Sequence, residues 1–407
     1  MSVVIAGGGP AGMVLGLLLA RGGVEVTVLE KHGDFLRDFR GDTVHPSTMR
    51  LMDELGLGEK FHALPQSRLG NVAVPLPGGG GRVTLTDFEH LPGKYGYVAM
   101  VPQWDLLTFL AEEAAKEPTF TLRMNTEATD LLRDGGRVSG VRYRTADGAE
   151  GELRAELTVA CDGRGSILRA RAGLRPREFP VPFDTWWFRL PRLDGERDQI
   201  ARLIAEFGGD EIALSLTRED YYQIAYFTAK GADPRLRAEG VERFRQRIAR
   251  LFPQYADRVG RIRTMDDLHL LDVRLNRLDR WHVDGLLVIG DAAHAMSPAG
   301  GVGINLAIQD AVAAATLLAG PLRRGAIRAA DLARVQRRRL WPTVIVQRAQ
   351  LVLHRVVFLP ILTGRGSGIP KPVAHLVRRF PVLRRIPSLL IAYGPRPEHA
   401  PAYARRP

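Results

Sequence analysis

The first thirty residues constrain the fold more than any other stretch of the chain. An apolar run from Val3 to Ala6 predicts a buried strand, the segment from Met13 to Ala20 predicts a helix, and Val24 to Leu29 predict a second strand. Between the first strand and the helix lie three glycines with G-x-G-x-x-G spacing: Gly7, Gly9 and Gly12. This order of elements is typical of the βαβ unit that binds a dinucleotide.

Each part of this unit has a physical role. One glycine permits the tight turn, one lets the backbone approach a pyrophosphate, and one lets the helix pack closely on the strand. The helix N-terminus, at Pro10 and Ala11, points its positive dipole end at the phosphates, and its free N–H groups begin at Ala11 because proline has none. Glu30 follows Gly12 by 18 residues, where an acid can accept the hydroxyls of an adenosine ribose, and Lys31 lies beside it. The unit alone leaves NAD, NADP and FAD open.

Composition places the chain among ordinary globular proteins. Its 407 residues are enough for two or three domains or one composite enzyme, and 45% are hydrophobic and 25% charged. A single cysteine, Cys161, excludes an intrachain disulfide and fits a reducing compartment. Strand one begins at Val3 with no basic segment before it, so we expect no signal peptide and a cytoplasmic protein.

The net charge of +12 comes from one end of the chain. The segment 321–407 holds 18 Arg and Lys and only two acidic residues, Asp331 and Glu398. The basic charge therefore does not lie in the predicted nucleotide domain, and we expect no nucleic-acid partner. This region predicts either a helical cap with a solvated basic face or weak peripheral contact with an acidic membrane surface.

Two later segments complete a pattern with the opening glycines. One runs from Cys161 to Arg169 and contains Asp162-Gly163 after an apolar strand. The other runs from Gly290 to Asn305, where a strand, Gly290-Asp291, a glycine-rich loop and a helix follow one another. Together the three segments resemble the p-hydroxybenzoate hydroxylase-like family of single-component FAD monooxygenases. The resemblance covers most of residues 1 to 320.

The resemblance implies an α/β fold. A Rossmann-like FAD-binding domain of the glutathione-reductase type would be interleaved with an antiparallel-sheet substrate domain, and C-terminal helices would follow. We predict a discontinuous FAD domain over 1–69, 98–177 and 278–330, and a substrate domain over 70–97 and 178–277. The segment 331–407 would form the basic helical region.

The resemblance also implies the chemistry. FAD would be bound tightly but non-covalently, NADPH or NADH would reduce it transiently, and a flavin C4a-hydroperoxide would hydroxylate an aromatic or polyketide-like small molecule. The sequence shows no second G-x-G-x-x-G in a βαβ setting, so the nicotinamide cofactor would bind in a groove.

The flavin site can be assigned to residues. Asp291 follows a strand, where a carboxylate can accept hydrogen bonds from ribityl hydroxyls. The loop beginning at Pro298 can lie against a planar ring, and the helix N-terminus at Gly303 would favour an anionic reduced flavin. The predicted cofactor residues of this segment are Gly290, Asp291, Pro298, Gly301, Val302, Gly303, Ile304 and Asn305. By resemblance, Arg40, Gln103 and Asp162 would also contact the cofactors.

The substrate side is less defined. Trp186, Phe188, Tyr222 and Tyr226 could line a pocket for a flat aromatic substrate, although aromatic residues on a strand also serve as core. No side chain is assigned a catalytic role, because the flavin would carry the chemistry. Pro298 and His294 are expected near the flavin, and His294 could equally order its loop. Histidines and cysteine do not occur at metal-ligand spacing, so we expect no metal.

Three other functions fit the same FAD segments. A flavin-dependent halogenase is one, since the run from Trp186 to Pro191 partly matches that group's W-x-W-x-I-P element, and halide-dependent product would identify it. An isoprenoid reductase or desaturase is another, which oxygen-independent turnover would favour. A non-catalytic protein docked at a membrane would show no redox turnover. The sequence leaves the oligomeric state open.

Overall fold

A computed structural model describes residues 2–36, 42–76, 80–196, 202–366 and 368–406. Its strands are β1 Ser2–Ala6, β2 Glu25–Leu29, β3 Thr43–Val44, β4 Ser67–Leu69, β5 Ala73–Pro75, β6 Arg82–Thr84, β7 Val98–Met100, β8 Phe120–Arg123, β9 Thr126–Asp134, β10 Arg137–Thr145, β11 Glu150–Arg154, β12 Leu157–Ala160, β13 Pro176–Phe179, β14 Phe183–Pro191, β15 Leu203–Gly208, β16 Glu211–Thr217, β17 Tyr221–Ala229, β18 His269–Leu271, β19 Leu275–Leu278, β20 His282–Val283 and β21 Leu286–Val288.

Its helices are α1 Pro10–Arg21, α2 Pro46–Glu54, α3 Gly58–His62, α4 Gln103–Ala114, α5 Ile167–Arg171, α6 Asp233–Glu239, α7 Val241–Leu251, α8 Gly303–Arg323, α9 Ala329–Leu353, α10 Leu359–Leu362, α11 Lys371–Arg379 and α12 Arg385–Ala392. A π-helical turn, His354–Phe358, joins α9 to α10.

A six-stranded sheet in the order β20-β21-β12-β1-β2-β8 carries the nucleotide motif. All of its pairs are parallel except β20 with β21, and α1 packs on α8 beside it. The predicted βαβ unit is confirmed. Strand β8 follows helix α4 and returns as a parallel crossover beside β2. Strands β9, β10 and β11 form a separate three-stranded antiparallel sheet.

A seven-stranded sheet, β18-β14-β17-β16-β15-β5-β6, forms the second layer of the molecule. Its pairs are antiparallel except β15 with β5. Strands from both predicted substrate-domain stretches therefore join in one sheet, while the exact domain boundaries stay a prediction. Along β14 the faces alternate: Trp186 and Phe188 pack against Phe244 of α7, and Trp187 points to the opposite face.

The C-terminal region is tied to the nucleotide layer by a buried charge network. Arg339 of α9 has no exposed surface, and its Nε donates to Asp310 Oδ1 of α8 at 3.0 Å. Its remaining nitrogens donate to Glu398 Oε1 at 3.3 Å, to the carbonyl of Arg396 at 3.0 Å and to Gln309 Oε1 at 3.2 Å. This one side chain thus joins α8, α9 and the returning C-terminal segment.

We predict that Arg339→Met lowers the free energy of unfolding by about 3–5 kcal/mol, because it leaves the fully buried carboxylate of Asp310 without its guanidinium. Arg338→Met is the matched control: Arg338 also pairs with Glu398, but its side chain is 30% exposed. It should cost about 1 kcal/mol or less, since Arg339 still neutralises Glu398. Equal losses in urea unfolding of the two variants would contradict this account.

Candidate cofactor and substrate site

The opening glycines differ in what surrounds them. Gly7 has φ +104°, and a Cβ there would lie 2.4 Å from the carbonyl oxygen of Cys161, the residue after β12. A Cβ on Gly12 would lie 2.0 Å from the carbonyl oxygen of Gly7. Gly9, in contrast, has nothing within 4 Å of its Cβ position, and it lines a large cavity. Gly7 and Gly12 are therefore required by packing, whereas Gly9 leaves room for a ligand.

Glu30 lies at the end of β2 and is buried. Its Oε2 accepts the backbone N–H of Gly8 at 2.9 Å, and its Oε1 accepts the backbone N–H of His32 at 3.0 Å. The carboxylate thus orders the glycine turn, and it also lines the cavity where the ribose of a dinucleotide would lie.

Helix α8 fixes the turn that begins the segment from Gly290 to Asn305. A short 3-10 turn, Gly290–Ala292, follows β21 and places Asp291 on the cavity wall. Asp310 Oδ2 accepts the backbone N–H of Gly290 at 3.1 Å and contacts His294 Nε2 at 2.5 Å. His294 is buried in this contact and does not line the cavity, so the structure favours its loop-ordering role.

The loop 297–301 is held by two other parts of the chain. Gln350 of α9 donates to the carbonyls of Ser297 and Ala299, both at 2.8 Å, and accepts the backbone N–H of Ser297 at 3.2 Å. On the other side, Thr43 Oγ1 and His45 Nε2 both donate to the carbonyl of Gly301, each at 2.8 Å. Burial lowers the pKa of His45 to about 4, so this histidine stays neutral at physiological pH.

Helices α1 and α8 both present their N-termini to this region. No side chain among the described residues caps either end, so the first N–H groups remain for a ligand. The helix dipoles would favour the negative charge of a pyrophosphate at α1 and of a reduced flavin ring at α8.

One cavity of about 810 Å³ connects these elements to the seven-stranded sheet. The predicted cofactor residues that line it are Gly7, Gly9, Pro10, Ala11, Glu30, Lys31, Gln103, Asp162, Asp291, Pro298, Gly301, Gly303 and Ile304. The open side of Gly9 and the two uncapped helix ends lie along the same cavity, so the residues present fit an extended dinucleotide such as FAD.

The other predicted cofactor residues lie behind this wall. Gly12, Gly290, Val302 and Asn305 do not line the cavity; the Asn305 amide oxygen accepts the hydroxyls of Ser47 at 2.6 Å and Thr48 at 3.1 Å. Asp162 does line it, but its carboxylate also accepts Ser166 Oγ at 2.5 Å and the N–H of Leu168 at 3.2 Å at the start of α5. Arg40 lies outside the described residues.

The predicted aromatic pocket requires a correction. Trp186, Phe188, Tyr222 and Tyr226 are at most 5% exposed and belong to the core between the sheet and α7. The cavity meets the opposite face of the sheet. The side chains that form this apolar wall are Val72, Val74, Leu85, Phe88, Trp187, Leu203, Leu214, Leu216, Phe227 and Leu271.

A buried polar group at the cavity was missed in the sequence. Arg218, between β16 and β17, pairs with Asp42 and donates from Nε to Gln223 Oε1 at 3.1 Å. All three residues line the cavity, and Asp42 Oδ1 also accepts the backbone N–H of Gln103 at 3.3 Å. Burial raises the pKa of Asp42, and Arg218 offsets part of that effect. Asp42 and Arg218 are 176 positions apart in the sequence, so no local pattern reveals the pair.

Comparison with known proteins agrees with this geometry. A family profile described as an FAD binding domain matches residues 1–349. The chain belongs to this FAD-binding family. The FAD-binding protein is 35% identical to 6-methylpretetramide 4-monooxygenase of Streptomyces rimosus over 402 residues, which cover 96% of the chain and 92% of that enzyme. It is 32% identical over 338 residues to 12-dehydrotetracycline 5-monooxygenase/anhydrotetracycline 6-monooxygenase of S. rimosus subsp. rimosus, covering 76% of the chain and 61% of that relative.

Solved structures share the fold of this FAD-binding protein. PqsL, a probable FAD-dependent monooxygenase from Pseudomonas aeruginosa, matches with a TM-score of 0.73 and 23% identity over 90% of the chain and 99% of PqsL. The flavin-dependent brominase Bmp2 matches with a TM-score of 0.75 and 18% identity over 95% of the chain and 94% of Bmp2. At these identities the likeness concerns the fold alone. The monooxygenase relatives, in contrast, make this protein an FAD-dependent monooxygenase.

We predict that Gly9→Ala and Gly12→Ala fail in different ways. Gly9→Ala should fold with an unchanged melting temperature of the apoprotein, because its Cβ meets no protein atom within 4 Å. That Cβ enters the space assigned to the pyrophosphate, so FAD affinity should fall about tenfold or more. Gly12→Ala should lower the yield of folded protein itself. Wild-type FAD affinity of Gly9→Ala in a fluorescence titration would contradict the assignment.

A second prediction concerns Gln350, which holds the loop 297–301 in place. Gln350→Ala removes three hydrogen bonds to the 297–299 backbone and should weaken FAD binding by about 1–3 kcal/mol. Gln336→Ala is the matched control, since Gln336 lies on the same helix and bonds to the backbone of Asp279 and Trp281. It should lower stability without changing the dissociation constant of FAD. If both variants bind FAD equally well, the contact between Gln350 and the loop does not contribute to FAD binding.

Proposed function

We propose that this FAD-dependent monooxygenase hydroxylates an aromatic or polyketide-like small molecule, with NADPH or NADH as the reductant and O2 as the oxygen donor. The observation that carries the proposal is the single cavity that runs from the nucleotide glycines to an apolar sheet face. The lining of this cavity of about 810 Å³ continues past the assigned cofactor residues to apolar side chains of the sheet, against which a ring system would pack. The first relative, which acts on 6-methylpretetramide by its name, supports the same substrate class.

The chain's own residues supply binding, orientation and a dry site. Gly9 and the α1 N-terminus would hold the FAD pyrophosphate, Glu30 the adenosine ribose and Asp291 the ribityl chain. Bound FAD supplies the activation of oxygen. The loop from Pro298 to Gly301 would fix the position of the ring, because Gln350 holds its Ala299 carbonyl, and Thr43 and His45 hold its Gly301 carbonyl.

The apolar sheet face and the polar group at its edge would have different roles in binding the substrate. Trp187, Leu214 and Leu216 would exclude water from the reacting ring, which strengthens polar interactions in the cavity. Arg218 and Gln223 would orient acidic hydroxyl or carbonyl oxygens of the substrate. Arg218 Nη1 has no hydrogen-bond partner among the described residues, and Asp42 and Gln223 fix the rest of its guanidinium.

NADPH or NADH would bind transiently in a groove, and either nucleotide fits the proposal. We place the protein in the cytoplasm, with the basic C-terminal region as its candidate contact with a membrane surface. The oligomeric state stays open.

The proposal is tested by purifying the protein and measuring its flavin and its turnover. We expect a yellow protein whose NADPH or NADH oxidation accelerates in the presence of phenols or polycyclic aromatics. A colourless protein that cannot be reconstituted with FAD would overturn the proposal. Product that requires chloride or bromide would show halogenation instead, and turnover insensitive to oxygen would show a reductase or desaturase.

We predict that Trp187→Phe and Trp186→Phe separate the two faces of β14. Trp187→Phe should change KM for the substrate several-fold with little change in melting temperature, because Trp187 lines the cavity. Trp186→Phe should lower stability by about 1–3 kcal/mol and leave KM unchanged, because it removes volume from a fully buried core position. The opposite pattern in steady-state kinetics and thermal unfolding would place the substrate on the α7 face.

A further inference from the structure

The exposed apolar side chains of this protein are concentrated in one region. Among the described residues, 15 large apolar side chains are exposed, and 12 of them lie between positions 341 and 389. They are Trp341, Ile345, Val352, Leu353, Val356, Leu359, Val373, Leu376, Phe380, Val382, Ile386 and Leu389. We call this set the C-terminal apolar face. Scattered single exposures are normal on a soluble protein, but a concentration of this kind marks an interaction surface.

The helices show that this exposure is built into the fold. Along α9, the π turn and the start of α10, apolar side chains recur at helical spacing on the solvent side: Trp341, Ile345, Val352, Val356 and Leu359. The opposite side of the same segment is buried, and there Gln347, Gln350 and His354 bond to the protein beside the apolar Val346 and Phe358. The segment therefore exposes apolar side chains although part of its buried side is polar.

Helices α11 and α12 extend the same face. Helix α11 packs Ala374 against the β5–β6 hairpin and leaves Val373 and Leu376 exposed. In α12, Ile386 is 64% exposed and Leu389 is 41% exposed. Within α12, Leu390 and Ile391 pack with Val346 of α9 in one cluster, so the two exposed segments adjoin each other.

The segment that carries this face is basic, and Asp87, which pairs with Arg385 at 3.9 Å, adds a carboxylate beside it. Residues 332–397 contain no Asp or Glu and 13 Arg and Lys. Exposed members of this set, including Arg348, Arg355, Arg378, Arg379 and Arg385, lie between the apolar side chains in the sequence. Apolar side chains interleaved with arginines match the interface of an anionic bilayer, where the chains enter the headgroup boundary and the guanidinium groups bind phosphates.

The face also borders the cavity. Leu353 belongs to it, and Pro387 lies between Ile386 and Leu389; both residues line the cavity that holds the proposed substrate site. If this face docks on a membrane, an apolar compound dissolved in the membrane would lie next to the cavity wall.

We propose that the C-terminal apolar face docks peripherally on an anionic lipid surface, with the cavity turned toward the bilayer. The docking does not depend on the reaction, whereas the passage of an apolar substrate from the bilayer rests on the proposed function. Two helices, Gly303–Arg323 and Ala329–Leu362, are long and apolar enough to cross a membrane by composition, which is weak evidence of a span. The first is 72% buried in the fold, and the second carries the buried Arg339 network, so both lie within or on the protein.

Vesicle sedimentation of the FAD-loaded protein, without substrate, tests the docking separately from turnover. Wild type should pellet with vesicles of phosphatidylglycerol and phosphatidylcholine, and much less with phosphatidylcholine alone. Phe380→Ser with Ile386→Ser should lower the bound-to-free ratio about tenfold, as should Arg378→Gln with Arg379→Gln. The matched controls are Leu193→Ser, an exposed leucine outside the face, and Arg261→Gln with Arg263→Gln, exposed arginines of the substrate domain. Both controls should bind as wild type.

A fluorescence measurement tests the docking with wild-type protein and one conservative variant, so its result does not depend on serine variants that fail to fold. Anionic vesicles should shift the emission of the wild-type protein to the blue, and Trp341→Phe should remove most of this shift, because Trp341 is 43% exposed on the face. The proposal is overturned if wild type stays in the supernatant with anionic vesicles or if face variants and controls bind equally. It is also overturned if light scattering shows a dimer that Ile386→Ser dissociates while vesicles are not bound, since the face would then be a dimer interface.

Discussion

The buried carboxylate of Asp310 is the interaction on which the site depends. It accepts the backbone N–H of Gly290 at 3.1 Å and the Nε of Arg339 at 3.0 Å, and it contacts His294 Nε2 at 2.5 Å. Burial alone would raise the pKa of Asp310, but His294 and Arg339 hold it below its usual value, so the carboxylate stays charged. A charged group in this position must keep its partners, and the turn that presents Asp291 to the cavity is fixed as a result.

The same network gives the C-terminal region two faces with different tasks. Its inner face, through Arg339, Gln350 and His354, holds α8 and the loop that would lie against the flavin ring. Its outer face carries exposed apolar side chains and arginines. The inner contacts explain why a region without a recognisable motif belongs to the cofactor site. Because the inner face makes these contacts, the outer face remains available to bind another surface.

Local chemistry made the nucleotide half of the site predictable. Neither Gly7 nor Gly12 has space for a Cβ, and this local requirement for glycine is visible in the sequence as the G-x-G-x-x-G spacing. The substrate half of the site was harder to predict from the sequence. The alternation along β14 separates Trp186 from Trp187, but it cannot tell which face α7 will cover, because that helix begins only at Val241. The pair of Asp42 and Arg218 depends on the meeting of two layers, which no local pattern encodes.

The central claim is that the cavity brings a reduced flavin, oxygen and an aromatic ring together in one dry space. The most direct measurement is turnover under ¹⁸O₂ with a phenolic or polycyclic substrate that accelerates NADPH or NADH oxidation. The account predicts that the product gains one labelled oxygen atom for each nicotinamide oxidised in coupled turnover. Product oxygen drawn only from water, or nicotinamide oxidation that yields only hydrogen peroxide with every accelerating substrate, would contradict it.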